Sequence, residues 1–571
     1  MPIRSSIYKI LDGEGDKIET LSIDGENSTM SLCKSRDCEG GLEIGLSLPR
    51  GKMDAFAAVF ADGMKVAAWG FFLKLVQIIR LRNEAEKGKG DLFQENGGFG
   101  RGDCLGTFSS SIKENGNQGC FNKEGWWEEE GDQGKLSRYR LVKATRYQIA
   151  PPPGTVADRS LPLTFFDIIW LHFHPIRRLL FYKFPCSKPY FLESLIPKLK
   201  ESLSLTLKHY FPLAGHLLYP LDAQKKPIIR YVAGDSVPLT IFESTNDFDN
   251  LDGDHPRDAD AFYDYIPQLP PIITDIESNH KLLKVLALQV TLFPGQGICI
   301  GLANHHAVGD ANSIVGFIRF WASINKLGGN EEYSNLPFFD RSLIKDPIGI
   351  DSIYWNQMKE IPLKLPSFPL PTKRVRSTYV LNESEIKKLK DLVLAKFPGF
   401  VHASSFVVTA AYVWSCLTKS QTPGGQETIK YNDDEMEFFL FAVDCRARLD
   451  PPLPGNYFGN CVSYGLGKIR HQELTGTDGF FMAAQAIAEE IKTGRMIRRN
   501  YWKALRIGAD FGWGKVRKME TLSIDGEDYA MSLCKSRDYE GGLEIGLTLP
   551  KLKMDAFAVV FAHGMELCHN T

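Results

Sequence analysis

Apolar residues follow helix and strand periods from about Leu141 to the C-terminus. Two apolar runs, Leu282–Leu292 and Gly297–Leu302, are predicted to pair as strands across the turn Phe293–Gln296. One further strand is predicted at Phe438–Asp444. Helical spacing of the apolar positions predicts helices at Ser194–Tyr210, Ser313–Leu327, Glu383–Lys396 and Ser404–Leu417. This alternation indicates an α/β fold in two halves.

The chain before Leu141 has a different pattern. Residues 83–134 are rich in Gly, Glu, Lys and Asn and show no sustained period, which predicts a low-complexity linker. Residues 19–64 match residues 520–565 without gaps at 37 of 46 positions. A single repeat at such a separation is not a solenoid period. We interpret the first copy as the tail of a tandemly duplicated neighbour, fused by read-through or by an erroneous gene model.

These patterns divide the chain into four parts. Residues 1–138 are expected to form a disordered extension that is detached from the folded core. An N-terminal domain over 139–345 and a C-terminal domain over 381–571 are expected on either side of a Pro-rich crossover linker, 346–380.

Composition excludes several classes of function. The 67 Lys and Arg residues nearly balance the 69 Asp and Glu residues, which argues against a nucleic-acid partner. No apolar run in the first hundred residues is long enough to span a membrane. The 11 Cys residues are scattered without C-x-x-C pairs, which favours free thiols in a reducing compartment. We therefore expect a cytoplasmic monomer without a metal or bound cofactor.

Candidate chemistry lies in the segment Asn304–Asp310, where His306 and Asp310 have the spacing H-x-x-x-D. An imidazole titrates near pH 6.5 and can therefore accept a proton from a hydroxyl close to neutral pH. An isolated His of this kind is more often a buried residue satisfied by hydrogen bonds, which is our interpretation of His305. Asp310 has three possible roles: it holds the loop, fixes the tautomer of the His, or acts as a base itself.

A second motif, Asp510-Phe511-Gly512-Trp513-Gly514, follows about two hundred residues later. The two motifs in this order resemble the BAHD acyltransferases, plant enzymes that transfer an acyl group from coenzyme A to an alcohol or amine. The resemblance implies a two-domain chloramphenicol-acetyltransferase-like fold with its active site at the domain interface. It assigns His306 as the general base. Asp310 would fix the loop by pairing with an arginine, for which Arg446 is the first candidate and Arg448 the second. Asp510, Phe511, Gly512, Trp513 and Gly514 would be structural and distant from the chemistry.

Shorter segments resemble one clade of that family. They are Leu163–Asp167, Pro212–Gly215, Gly234–Val237 and Asn456–Cys461. The resemblance implies malonyl transfer from malonyl-CoA, as co-substrate, to a sugar hydroxyl of a flavonoid or phenolic glucoside. A hydroxycinnamoyl-CoA-dependent anthocyanin acyltransferase is the alternative within the family.

The sequence departs from the family pattern in two places. Ala311 stands where the family usually has Gly, which is tolerable if the backbone there is not left-handed. The segment Lys492–Ala509 is shorter than in relatives, and the absent part would include much of a helix and a strand that lines the active site. A second alternative is therefore a non-catalytic product of a fused, internally deleted gene copy.

Overall fold

The computed structural model describes residues 19–22, 29–34, 42–47, 145–222, 224–328, 335–363, 373–400, 403–420, 435–493, 507–525 and 530–570. The chain divides into two compact units, residues 1–130 and residues 131–571. The predicted low-complexity linker at 83–134 lies outside the described residues.

The first unit contains three described strands: β1 (Glu19–Ser22), β2 (Thr29–Lys34) and β3 (Leu42–Ser47). They form an antiparallel sheet in the order β1-β2-β3.

The second unit alternates strands and helices along the chain. Its strands are β4 (Thr145–Ile149), β5 (Arg159–Pro162), β6 (Ile176–Tyr182), β7 (His216–Pro220), β8 (Ile228–Tyr231), β9 (Val237–Glu243), β10 (Arg257–Asp258), β11 (Ile273–Asp275), β12 (His280–Lys284), β13 (Leu286–Phe293), β14 (Gly297–Asn304), β15 (Arg374–Leu381), β16 (Met436–Asp444), β17 (Val462–Arg470), β18 (Lys518–Thr521), β19 (Met531–Lys535) and β20 (Leu543–Pro550). Its α-helices are α1 (Phe165–Ile168), α2 (Lys188–Tyr190), α3 (Ile196–His209), α4 (Phe248–Asp252), α5 (Ala311–Leu327), α6 (Ile350–Met358), α7 (Glu383–Lys396), α8 (Ser405–Lys419), α9 (His471–Thr475), α10 (Gly479–Thr493) and α11 (Lys551–Asn570).

The predicted strand pair forms the centre of a six-stranded sheet, in the order β18-β6-β14-β13-β9-β4. β13 and β14 are antiparallel and buried at every position, which explains their nearly continuous apolar sequences. Gly295 in the turn between them has φ 71°, a left-handed conformation that favours glycine. The predicted hairpin is confirmed from Leu286 onward, and β14 leads directly into the H-x-x-x-D loop. The predicted first strand is not continuous, because Leu282–Lys284 belong to β12, which pairs with β7 in a separate five-stranded sheet.

The predicted helices are confirmed with small shifts at their ends. α7 has the predicted bounds, and its N-cap Asn382 forms a capping box with Glu385. α3 follows a π-helical turn at Phe191–Leu195, and α5 begins at Ala311. Within residues 346–380, the structure contains α6 and most of β15. The range predicted as a linker therefore contains a helix and most of a strand. Residues 364–372, between these two elements, lie outside the described part.

The two halves of the second unit exchange strands. β18, just after the Asp510–Gly514 motif, pairs with β6 in the six-stranded sheet. In return, β10 joins β15, β20 and β19 in a four-stranded sheet of the C-terminal half. Glu520 on β18 forms buried ion pairs with Arg257 of β10 and Arg376 of β15. This network joins the two halves, since its members come from both. Replacing any one of the three residues would leave a buried charge without its partner, which is strongly destabilising.

The second copy of the repeat is built into this core. Met531 pairs with Leu547 across β19 and β20, and the equivalent residues Met30 and Leu46 pair in the same register across β2 and β3. In the second copy, β20 also pairs along its whole length with β15. The repeated sequence therefore specifies the same hairpin twice.

We propose that the first copy is dispensable, because β20 of the second copy already pairs with β15 along its whole length. Deleting Met1–Leu136 is expected to leave soluble yield and melting temperature unchanged. Deleting Glu520–Thr571, the matched control, removes β19, β20 and α11 and is expected to abolish soluble protein. If the second deletion were tolerated, the first copy would be able to replace the second.

β16 and β17 form a separate two-stranded sheet. β16 has apolar residues on both faces, which is typical of a strand covered on both sides. However, Met436, Phe438 and Leu440 are 38%, 43% and 40% exposed.

Candidate active site

The H-x-x-x-D loop connects the end of β14 to α5. A short 3-10 helix, His306–Val308, follows β14, and Asp310 is the N-cap of α5. The carboxylate of Asp310 accepts a hydrogen bond from Ser313 N at 3.1 Å, which satisfies one free donor of the first helical turn. Ala311 is the first helical residue, so its backbone is right-handed and the usual Gly is not required.

The ring of His306 is held between aromatic side chains. It stacks on Trp170 with ring centroids 3.7 Å apart and planes 3° from parallel, and Phe173 meets it edge-on at 5.4 Å. Its buried Nδ1 has no hydrogen-bond partner within the described chain. Burial lowers the pKa of His306 to about 3, so the imidazole is neutral at physiological pH, the form that accepts a proton.

His305 has different surroundings. Its side chain is fully buried, and its Nδ1 accepts a hydrogen bond from Ala307 N at 3.2 Å. This bond closes the 3-10 turn that carries His306.

Asp310 is paired with Arg446. Nη1 of Arg446 lies 2.8 Å from Oδ2, and Nη2 donates to Oδ1 at 2.9 Å, with both side chains 3% exposed. Cys461 N donates to Oδ2 at 3.0 Å. Burial alone would raise the pKa of Asp310, but the charge of Arg446 and these hydrogen bonds lower it. Both oxygens are occupied, which favours the loop-fixing role over that of a base. Arg448, the second candidate, forms no ion pair with Asp310 in the structure.

Arg446 also holds the loop Asn456–Cys461 against α5. Its Nη2 donates to Tyr457 O at 3.1 Å and Gly459 O at 3.2 Å. Gly459 has φ 149°, and a Cβ there would lie 1.8 Å from Nη1 of Arg341. Only glycine fits this position, because any side chain would displace a buried guanidinium.

A further link between the halves was not predicted from the sequence. Nδ2 of Asn460 donates to His306 O and to Oδ1 of Asp167, both at 3.0 Å. Asp167 also caps the start of α1 through Thr164. The segments Leu163–Asp167 and Asn456–Cys461, noted only as clade resemblances, thus meet at the backbone of His306. Trp170 was also missed, although it follows Asp167 by three residues.

The Asp510–Gly514 motif folds as a tight turn. Oδ1 of Asp510 accepts hydrogen bonds from Gly512 N and Gly514 N, and both glycines have φ close to 90°. Phe511 packs edge-on against Trp321 of α5, and Trp513 does so against Tyr182 of β6. These contacts fasten the turn to the N-terminal half and bring no side chain of the motif to His306.

No group of three or more His, Cys, Asp or Glu side chains among the described residues is placed to hold a metal ion. Among the described helices, none combines the length and apolarity needed to cross a membrane.

The sequence profile of the Transferase family matches residues 141–505. The chain belongs to this family, that of the BAHD acyltransferases. The malonyl-coenzyme:anthocyanin 5-O-glucoside-6'''-O-malonyltransferase of Salvia splendens is 50% identical over 444 residues, covering 72% of this chain and 93% of that protein. Phenolic glucoside malonyltransferase 1 of Nicotiana tabacum is 44% identical over 448 residues, covering 73% and 98%. The family resemblance read from the two motifs is thus confirmed.

The crystal structure of vinorine synthase is similar with a TM-score of 0.52 and 19% identity, covering 73% of this chain and 96% of that chain. This likeness concerns the fold, and it confirms the expected α/β acyltransferase architecture. The Salvia alignment also bears on the short segment before Asp510. Because 72% of 571 residues is fewer than the 444 aligned positions, some positions in the matched region have no residue in this chain.

The two buried histidines predict a pH dependence of stability. Burial lowers the pKa of His305 to about 4 and that of His306 to about 3. Between these values and about pH 6.5, the unfolded chain binds protons that the folded chain does not, so stability falls as the pH falls. The expected slope is about 1.4 kcal/mol per pH unit for each histidine. Urea unfolding at a series of pH values from 7 to 5 measures this slope. His306→Gln should remove about half of it, because only His305 then contributes. A slope that is unchanged in this variant would show that the pKa of His306 is not lowered in the folded chain.

Proposed function

We propose that the chain transfers a malonyl group from malonyl-CoA to a sugar hydroxyl of a flavonoid or phenolic glucoside. The observation that carries the proposal is the position of His306 just after β14, between Trp170 and Phe173, on a loop fixed by the Asp310–Arg446 pair. The names of the Salvia and Nicotiana relatives supply the donor and the class of acceptor. Malonyl-CoA is therefore favoured over a hydroxycinnamoyl-CoA donor.

In this mechanism His306 accepts the proton of the sugar hydroxyl while its oxygen attacks the thioester carbonyl. The tetrahedral intermediate then collapses, the C–S bond breaks, and the imidazolium returns the proton to the CoA thiolate. A positioned base of this kind contributes about 10²- to 10⁴-fold to the rate.

A covalent acyl-enzyme is not part of the proposal. Cys461 contacts the loop, since its backbone N–H donates a hydrogen bond to Asp310. Burial raises the pKa of its thiol well above the usual range, so it is not a thiolate at neutral pH. Direct transfer from CoA to the hydroxyl fits these surroundings.

We further propose that the protein acts as a cytoplasmic monomer. The cysteines that the structure describes are all free, which supports a reducing compartment. Size-exclusion chromatography with light scattering, with 64.1 kDa as the expected mass, tests the monomer.

The decisive experiment is a donor and acceptor screen. Malonyl-, acetyl- and coumaroyl-CoA are each supplied with anthocyanin glucosides, simple phenolic glucosides and the corresponding aglycones. Product formed only with malonyl-CoA and a glucoside is the expected result. Activity confined to aglycones or amines would overturn the acceptor class. An absence of turnover with every pair, in a folded protein, would identify the non-catalytic alternative that the shortened segment suggests.

A further inference from the structure

Two adjacent arginines on β6 have different surroundings. Side chains alternate along a strand, so Arg177 and Arg178 lie on opposite faces of the sheet. The face of Arg177 carries Leu179 and Phe181, which belong to the apolar cluster around Leu522. Burial lowers the pKa of Arg177, and the nearby hydroxyl of Tyr263 and carboxylate of Asp525 oppose that shift. Arg177 thus belongs to the ionic network that joins the two halves.

Arg178 lies on the face that leads to the active-site loop. Its register partner on β14 is Leu302, two residues before Asn304, where the strand gives way to the loop. The charge of Arg178 is among the causes that lower the pKa of His306, and Asp310 in turn acts on Arg178. The guanidinium is therefore electrostatically coupled to both residues of the H-x-x-x-D motif.

No described residue forms an ion pair with this guanidinium. Its Nη1 is buried and has no hydrogen-bond partner in the described part of the chain, while the residue as a whole is half-buried. Asp310 acts on it electrostatically but does not pair with it, because both oxygens of that carboxylate are held by Arg446 and backbone amides. Burial lowers the pKa of Arg178 to about 10, so it remains charged near neutral pH.

A buried donor nitrogen without a partner is costly. Several other arginines also have one, but Arg257, Arg341, Arg376, Arg446 and Arg537 form ion pairs, whereas Arg178 forms none among the described residues. The chemistry of the ligand follows from that of the donor. A planar guanidinium matches a carboxylate through two parallel hydrogen bonds. In a malonyl thioester a single methylene separates the free carboxylate from the reacting carbonyl. A receptor for that carboxylate must therefore lie on the side of the sheet that leads to the general base, where the register of β6 and β14 places Arg178.

We propose that Arg178 binds the free carboxylate of the malonyl group and thereby selects malonyl-CoA over acetyl-CoA and other uncharged acyl donors. This inference rests on the proposed function and names the residue that sets its donor specificity.

The test compares two donors on the full-length chain. Arg178→Gln removes the charge, and Arg178→Lys keeps it without the paired donors. Calorimetry gives the Kd of malonyl-CoA and acetyl-CoA, and a glucoside assay gives kcat/KM for each. We expect Arg178→Gln to weaken malonyl-CoA by about 10- to 100-fold while acetyl-CoA changes little. Arg178→Lys should give an intermediate loss and guards against a failure of the Gln variant to fold.

Arg177→Gln is the matched control, since it removes the same charge one position away on the opposite face. It is expected to lower the melting temperature without changing the malonyl/acetyl ratio. Equal losses for both donors in Arg178→Gln would overturn the proposal and indicate stabilisation of the reacting oxyanion instead. A wild-type chain that binds both donors equally would overturn it as well. A chain that binds malonyl-CoA through Arg178 but never transfers it would refute the proposed function and leave this inference intact.

Discussion

His306→Ala is expected to lower kcat by about 10²- to 10⁴-fold while the Kd for malonyl-CoA changes little. The neutral imidazole accepts the proton of the attacking hydroxyl, and the two described rings that pack against it, Trp170 and Phe173, cannot take over this role. Trp170 stacks on the imidazole ring and Phe173 packs edge-on against it, and neither side chain is a base. Asp310, the nearest carboxylate in sequence, is fully engaged by Arg446. Loss of the base therefore affects the chemical step and leaves donor binding in place.

The comparison needs a control histidine and a binding measurement. His563 is exposed on α11, and His563→Ala is expected to retain full turnover. Calorimetry with malonyl-CoA then separates a chemical defect from a folding defect in His306→Ala. Near-normal turnover of the His306 variant would show that the base lies elsewhere.

Local signals in the sequence predicted much of the fold. The β13–β14 hairpin and α7 were predictable because apolar period, turn residues and caps lie within a few positions of each other. The strand exchange was not, since β10 and β18 are short and acquire their partners from distant segments. A two- or four-residue strand has too few positions to show a period.

The same limit applies to the site. His306 and Asp310 form one motif, and the family resemblance singled out Arg446. Asn460 and Trp170 contact His306 from positions 154 and 136 residues away in the sequence. The residues around them do not predict these contacts. Arg178 was hidden for another reason: it stands beside a second arginine, and only the faces of β6 distinguish them.

Arg446→Ala is expected to cost about 3–5 kcal/mol in the free energy of unfolding, because it leaves the buried carboxylate of Asp310 without its partner. Asp310→Asn should be similarly damaging, since it strands the guanidinium of Arg446. Turnover should fall with stability in both variants, because the pair fixes the loop that presents His306 and the loop Asn456–Cys461. Urea unfolding and the glucoside assay on the same preparations measure the two effects.

A double-mutant cycle isolates the pair itself. In Asp310→Asn/Arg446→Ala neither charge is left alone, so the combined loss should be smaller than the sum of the single losses. Lys551 and Asp555 on α11 supply the exposed control, with side chains 64% and 50% accessible. Breaking that pair should cost at most about 1 kcal/mol, because water already solvates both charges. If Asp310→Asn abolished turnover while leaving stability at the wild-type value, Asp310 would act in proton transfer, and the loop-fixing role would be wrong.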